Sequence, residues 1–411
     1  MQRRIASHCS LVVLSLALTF GVPRQTTACP FCSAPSLTLS EQLAQSDAVL
    51  LVKWSKGLPA KGKSPGNTDY EVSKIAKAPA GALKVGDAVQ LVRYRAAKKG
   101  DLFLLMGSQA KSLEWGSPIE VSQASFSYLE KLPAPDAPVD KRLAFYLKYL
   151  EFPDPLVAND AYAEFANAPY KDIAKLAKQM PRDRLRKWVV SADTPVTRLG
   201  LYGLLLGLCG QQADAKLMQD KITSTSTDDF RLGIDGVMSG FLLITGKQGL
   251  KIIEDTKLRP TFLVDANNQP LLDKQGKKRP VPFSETYAAM QALRFMWTYG
   301  DGRIAKQRLR ESMRILLARP ELADLVIADL ARWKDWQVQD QLVKLYGADG
   351  YDIPSIKRAI VRYMYYCSKD VDPKAGDAPP PKHVAQAKQH LADLEKRDPK
   401  TVREAKRFLL P

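Results

Sequence analysis

The stretches Arg198-Leu-Gly-Leu-Tyr-Gly-Leu-Leu-Leu-Gly207 and Arg231-Leu-Gly-Ile-Asp-Gly-Val-Met-Ser-Gly240 are one pattern written twice, with Arg, Leu and three glycines aligned 33 residues apart. Self-similarity at a period of this size marks stacked helical units, each unable to bury its apolar face until a neighbour covers it. Gly200, Gly203 and Gly207, and likewise Gly233, Gly236 and Gly240, fall on one helical face of their copies. An interior glycine costs up to about 1 kcal/mol relative to alanine, so such a face predicts close helix packing. The short apolar run and Asp235 exclude a membrane helix.

Outward from this pair the helical period extends from Asp140 to the end. Asp154-Pro-Leu-Val157 opens a helix with an Asp cap and Pro in the first turn. The opening recurs at Asp193-Thr-Pro-Val196, Asp335-Trp-Gln-Val338 and Asp398-Pro-Lys-Thr-Val402. In this signature residues 140–369 resemble HEAT repeats, which implies an all-α superhelical solenoid. Residues 259–284 interrupt it with Thr261-Phe-Leu-Val264, Asp265-Ala-Asn-Asn268 and Lys274-Gln-Gly-Lys-Lys-Arg-Pro280, read as an inserted β-hairpin or long loop. A Pro-rich break at 370–382 precedes C-terminal helices over 383–411.

Upstream the period is two. Ala48–Trp54, Tyr70–Ile75, Ala88–Tyr94 and Leu102–Met106 read as short strands separated by Gly, Pro and Lys turns, which predicts a small closed barrel or sandwich. A capped amphipathic helix over Ser36–Gln45 precedes them. Leu132-Pro-Ala-Pro-Asp-Ala-Pro-Val139 reads as a stiff linker. With its cysteine-bearing start, Leu83-Lys-Val-Gly-Asp-Ala-Val89 and Lys99-Gly-Asp-Leu-Phe-Leu-Leu-Met-Gly107, the segment 29–131 resembles the netrin-like OB-fold domain shared by tissue inhibitors of metalloproteinases. The resemblance implies that Cys29 corresponds to the cysteine whose α-amine and carbonyl those inhibitors present to a protease zinc. Here the motif is Cys29-Pro-Phe-Cys32 instead of Cys-x-Cys, and the cysteines that anchor the inhibitory ridge are missing, so it is the fold that carries over.

Met1-Gln-Arg-Arg4, the apolar run Leu11–Val22 and the small residues ending at Ala28 predict a secretory signal peptide over 1–28. The expected location is periplasmic or secreted. Thr-Thr-Ala-Cys29 also leaves open a bacterial lipoprotein in which Cys29 carries a lipid anchor, although Thr26 stands where a large aliphatic residue is expected. Cleavage removes Arg3, Arg4 and Arg24 and no acid, lowering the formal charge from +17 to +14. Such a balance favours an anionic partner, protein or envelope, with membrane contact only peripheral or through a lipid, and export argues against nucleic acid. Four cysteines remain beyond residue 28, Cys29, Cys32, Cys209 and Cys367, too few for a disulfide scaffold, so folding rests on apolar cores.

No catalytic, metal or cofactor constellation stands out. Cys29 and Cys32 read first as a local disulfide, or as bonds fixing the N-terminus onto the barrel, and otherwise as a redox or metal-binding pair or a lipid anchor. His383 and His390 are the only histidines beyond residue 28 and read as exposed helix residues, which excludes histidine-based nucleophile activation. Glu285, Asp235 and Asp160 read as caps or ion-pair partners, and Trp333 and Trp336 as core. From Lys274 to Arg319 eleven Lys and Arg face three acids. Arg303, Lys306, Arg310 and Arg314 read as one helical face opposite Ile304, Leu309, Met313 and Leu316. With Lys277, Lys278 and Arg279 of the insert they form the expected surface for an anionic partner. The sequence thus predicts an exported, non-enzymatic binding or scaffolding protein. The alternatives are a modulator of a secreted or surface enzyme acting through Cys29, and a thiol-disulfide protein using Cys29 and Cys32.

Overall fold

The apolar alternation after Asp47 forms β1 (Ala48–Leu58), β2 (Asn67–Lys77) and β4 (Leu102–Gln109), all longer than the pattern predicts, and the shorter β3 (Ala88–Leu91), joined by the short β5 (Leu113–Trp115) and β6 (Ile119–Glu120). The computed structural model describes residues 29–32, 37–63, 65–110, 112–224, 231–264, 269–372, 374 and 379–407. The export signal read over 1–28 lies outside them, as does the Asp265–Asn268 turn.

The strands pair antiparallel in the order β3-β2-β1-β4-β5, with β6 also on β4, giving a nearly closed, barrel-like sheet. β3 ends at Leu91, short of the expected Tyr94, because Thr68 Oγ1 takes over the ladder: it donates to the Arg93 carbonyl (2.9 Å) and accepts from Arg95 N (2.8 Å). Beyond that point Arg93 reaches across the gap to Ser117 Oγ (2.8 Å) and the Trp115 carbonyl (3.2 Å), bringing the two edges together.

Ala48 to Val52 are all buried because both faces of β1 are covered. Leu50 and Val52 join Tyr70, Val72 and Phe103 in the barrel's own core. Val49 and Leu51 face the other way, into a core continuous with the helices. The helices α1 (Leu39–Gln45) and α2 (Gln123–Leu129) flank the sheet on that side. Both bond to the helical region. Leu39 N donates to Asp160 (2.6 Å), Ser40 Oγ to Glu164 (2.5 Å) and Tyr128 OH to Asp160 (2.6 Å).

After the Pro-rich segment come α3 (Val139–Tyr146), α4 (Pro155–Asn167), α5 (Tyr170–Ala174), α6 (Arg182–Val190), α7 (Val196–Cys209), α8 (Gln212–Thr223), α9 (Ile234–Thr245) and α10 (Lys247–Ile253). Past the insert follow α11 (Phe283–Tyr299), α12 (Lys306–Ile315), α13 (Ala323–Arg332), α14 (Gln339–Leu345), α15 (Pro354–Ser368), α16 (Lys382–Arg397) and α17 (Pro399–Arg407). The helices form two layers. α7, α9, α11, α13, α15 and α17 line one, and α6, α8, α10, α12, α14 and α16 back it. Of the four Asp openings, Asp154 accepts from Leu156 N (2.9 Å) and Asp398 from Thr401 N (3.1 Å), which caps α4 and α17. Pro195 instead precedes α7, and Asp335 is occupied by Arg314.

The two glycine copies lie side by side, each glycine against its counterpart or the glycine one turn earlier in the other copy. A Cβ on Gly207 would sit 2.2 Å from Gly240 Cα, one on Gly236 2.1 Å from the Gly200 carbonyl oxygen, and one on Gly240 2.1 Å from that of Gly203. The copies are not identical helices. Gly233 takes φ +81 and caps α9 from outside, so the second helix starts three residues after Arg231 while the first starts two before Arg198. Both arginines turn inward: Arg198 to the Leu150 carbonyl, Glu151 and Asn159, and Arg231 to Glu285 and the Lys221 and Ile222 carbonyls. The insert is a small ladder in which Phe262 bridges Pro280, Val264 bridges Pro270 and Leu272 bridges Lys278.

Candidate functional site

Cys29 and Cys32 are joined in a disulfide. The loop they close docks on the helices, which corrects the expectation that it fixes the chain onto the barrel. Cys29 N donates to the Ala166 carbonyl (3.1 Å) at the end of α4. The Phe31 ring meets Phe295 of α11 at 5.1 Å. The Phe31 carbonyl lies where a Cβ on Gly200 would come within 2.7 Å, so the glycine face admits this loop as well as α9. A sulfur in that bond has no valence for a thioether-linked lipid. The backbone nitrogen that the inhibitor resemblance would present to a zinc is spent on Ala166. A pocket of about 220 Å³ beside the loop contains Asp235, whose carboxyl burial pushes up and whose Oδ1 accepts from Gly236 N (2.9 Å).

The basic stretch divides. Lys277 and Lys278 are exposed on the insert, Arg279 is half-buried, and Lys278 lies over the Phe262 ring. Arg303 belongs to the turn before α12, so it does not share a helical face with the other three. Lys306 sits over Trp297 (4.8 Å), and Arg310 donates to the Trp333 carbonyl (3.0 Å). Arg314 forms a bidentate pair with buried Asp335 (2.5 and 2.7 Å), which holds the guanidinium above its ordinary pKa. Ile304, Leu309, Met313 and Leu316 are buried as expected. Half of the four-residue stripe is therefore structural.

Cationic side chains gather instead in a groove of about 1190 Å³ between α13 and α15, closed at one end by α17. Leu325, Ala328 and Ala331 of α13 and Ala359, Tyr363 and Tyr366 of α15 line it, with Trp336 at the side. Arg332, Lys334, Arg358, Arg362, Lys369 and Arg407 stand on its rim against Asp324, Asp370 and Glu404. Two of those acids are consumed locally. Asp370 accepts from Lys334 (2.6 Å) and Trp336 Nε1 (2.6 Å), bonds that outweigh burial and hold its carboxyl below the usual range. Glu404 lies 3.5 Å from Arg358.

The remaining sequence candidates are structural. Glu285 bridges Arg231 (2.6 Å) and Lys257 (2.7 Å) out of solvent, and those two cations overcome burial to keep it ionised. Asp160 is pushed up to about 6 by burial, against the bonds from Leu39 and Tyr128. His383 and His390 are half-buried on α16, not exposed. His390 Nε2 is 3.1 Å from Asp340, and the His383 ring stacks on Trp336 at 6.3 Å. Trp333 is core, stacked on Trp297 at 4.3 Å. Among the described residues no group of three or more His, Cys, Asp and Glu could hold a metal ion, and no helix is long and apolar enough to cross a membrane.

The groove cations were missed because they come from elements as far apart as residues 332 and 407. The one local signal is on α15, where Arg358, Arg362, Tyr366 and Lys369 recur at spacings of four, four and three. No protein-family model matches the chain and no curated protein matches its sequence.

Proposed function

We propose that this is an exported, non-enzymatic binding or scaffolding protein in which a HEAT-like solenoid presents a cationic surface to an anionic protein or envelope partner. In this reading the barrel is a netrin-like OB-fold module held rigidly against the first helices. The observation that carries it is the groove between α13 and α15, where six guanidinium and ammonium groups, outnumbering the three acids among them, surround an apolar floor. Charge of one sign in a concave site focuses the field and speeds capture of an oppositely charged partner. The carboxylates of Glu285, Asp160 and Asp235 support the same reading, since the first is tied to cations and the other two to backbone amides. The test is retention of envelope components by the immobilised full chain, with release followed against salt. Arg332→Glu with Arg362→Glu should lose the retained set, while Lys277→Glu with Lys278→Glu should lose little. An identical set from the wild type and both variants would sink the proposal. N-terminal sequencing of the fractionated protein checks export, with Cys29 as the expected first residue.

A further inference from the structure

We infer that the groove between α13 and α15 binds an acidic peptide segment carrying a large apolar side chain, contributed by a partner protein; this rests on the binding role proposed above and specifies its ligand. α13 is ten residues long, about 15 Å of wall at 1.5 Å per residue, enough for a few residues of extended chain or two to three turns of helix. The floor offers an apolar side chain somewhere to go. Ala328, Ala331 and Ala359 leave volume, and Leu325 and Tyr366 remain 37 % and 47 % exposed. The rim carries six cations against three acids, two of which are already paired within it. Arg332 donates Nη1 to Asp329 (3.0 Å) yet its side chain stays 72 % exposed, Arg362 commits Nε to the Ala405 carbonyl (3.3 Å), and Lys369 and Arg407 are exposed. Guanidinium groups so placed suit carboxylates, which they can grip through two parallel N–H donors.

Shape and ring exposure choose among anionic partners. A planar membrane surface cannot follow a concave trough. A saccharide would need several open aromatic faces to stack on, yet His383 stacks on Trp336 and Tyr363 is fully buried, which leaves Tyr366 as the one exposed ring among these three. An acidic peptide with an apolar anchor uses both the rim and the floor.

The experiment titrates the full chain at physiological salt into dye-labelled synthetic peptides read by fluorescence anisotropy. The probes are a peptide of four Asp-Glu-Phe-Gly repeats, a version with serine for every phenylalanine, and a version with lysine for every acid. One-to-one saturable binding of the first is expected, about tenfold weaker binding of the serine version, and none of the lysine version. Arg332→Glu with Arg362→Glu should weaken the first peptide by about tenfold or more. Ala359→Trp, which fills the floor, should do the same with an unchanged melting temperature. Equal binding of the serine version, or no response to either variant, overturns the inference. If sulfated polysaccharide or phosphatidylglycerol vesicles bind through Arg332 and Arg362 while the first peptide does not, the peptide class is wrong and the binding role stands. Failure of every probe, together with an envelope set indifferent to the variants, overturns both.

Discussion

Between α7 and α9 the backbones touch, whereas between α13 and α15, neighbours in the same layer, about 1190 Å³ stays open. The difference lies in what stands at the facing positions. Glycines at Gly200, Gly203, Gly207, Gly236 and Gly240 bring backbone against backbone in the first seam. In the second, alanines line the floor while arginines and tyrosines hold the walls apart. A layered helical architecture therefore becomes scaffold or binding surface according to the side chains at its seams. The ion pairs follow suit: those near the closed seam are buried, and those at the open groove lie on its rim.

The largest effect is expected from breaking a buried cluster. Glu285 at the start of α11 holds Arg231, which leads into α9, and Lys257, all three largely out of solvent. Removing one partner leaves an uncompensated buried charge, so Glu285→Ala should cost about 3–5 kcal/mol in urea unfolding. The rim counterpart Glu404→Ala should cost about 0–1 kcal/mol, because its pair with Arg358 is 33 % and 43 % exposed. Similar losses at both sites would erase the distinction between closed and open seams.

A second closed seam, where α1 and α2 meet α4, can be probed by pH. Asp160 has its carboxyl raised from 3.8 to about 6, burial being the main cause. A group that binds its proton more tightly when folded adds stability fully present below its unfolded pKa and lost as pH rises through the folded one. The wild type should therefore lose about 2 kcal/mol from this group between pH 4 and pH 8, at about 1.4 kcal/mol per unit of pKa difference. Asp160→Asn, which keeps an acceptor for Leu39 N, should abolish that component. Parallel stability curves for the two proteins across this range would show that the seam does not exclude water.

The glycine seam itself sets two effects of opposite sign against each other. Alanine at Gly236 would gain about 1 kcal/mol in helix propensity. Its Cβ, however, would lie 2.1 Å from the Gly200 carbonyl oxygen and 2.5 Å from Gly200 Cα, both backbone atoms that cannot swing aside. Overpacking of this kind costs about 3 kcal/mol, so a net loss of about 2 kcal/mol is expected. A stabilised Gly236→Ala protein would mean that the helices are held apart.

What was legible followed from local periodicity. The glycine face, the apolar stripe of α12 and the four main strands all declare themselves within a dozen residues, because each is a one-element pattern. The groove does not, since Arg332, Arg362 and Arg407 acquire common meaning only when three helices assemble. The basic stripe was misread for the same reason: the groups that absorb Arg310 and Arg314, the Trp333 carbonyl and Asp335, lie 23 and 21 residues downstream. Likewise nothing local to Cys29-Pro-Phe-Cys32 announces that its loop lands on α4, α7 and α11.

The smallest expected effect divides the two seams most cleanly. Ala359→Leu adds three carbons to α15, a helix in the same layer as α9 and three helices further along. Helix propensity barely changes between these residues, and the added atoms enter the groove instead of striking backbone. Stability should stay within about 0.5 kcal/mol of the wild type, the range of surface substitutions. A single methyl at Gly236 should by contrast cost about 2 kcal/mol. If Ala359→Leu destabilises as strongly as Gly236→Ala, the space between α13 and α15 is already filled in solution. The groove would then be another closed seam, and the proposed binding role would lose the surface on which it depends.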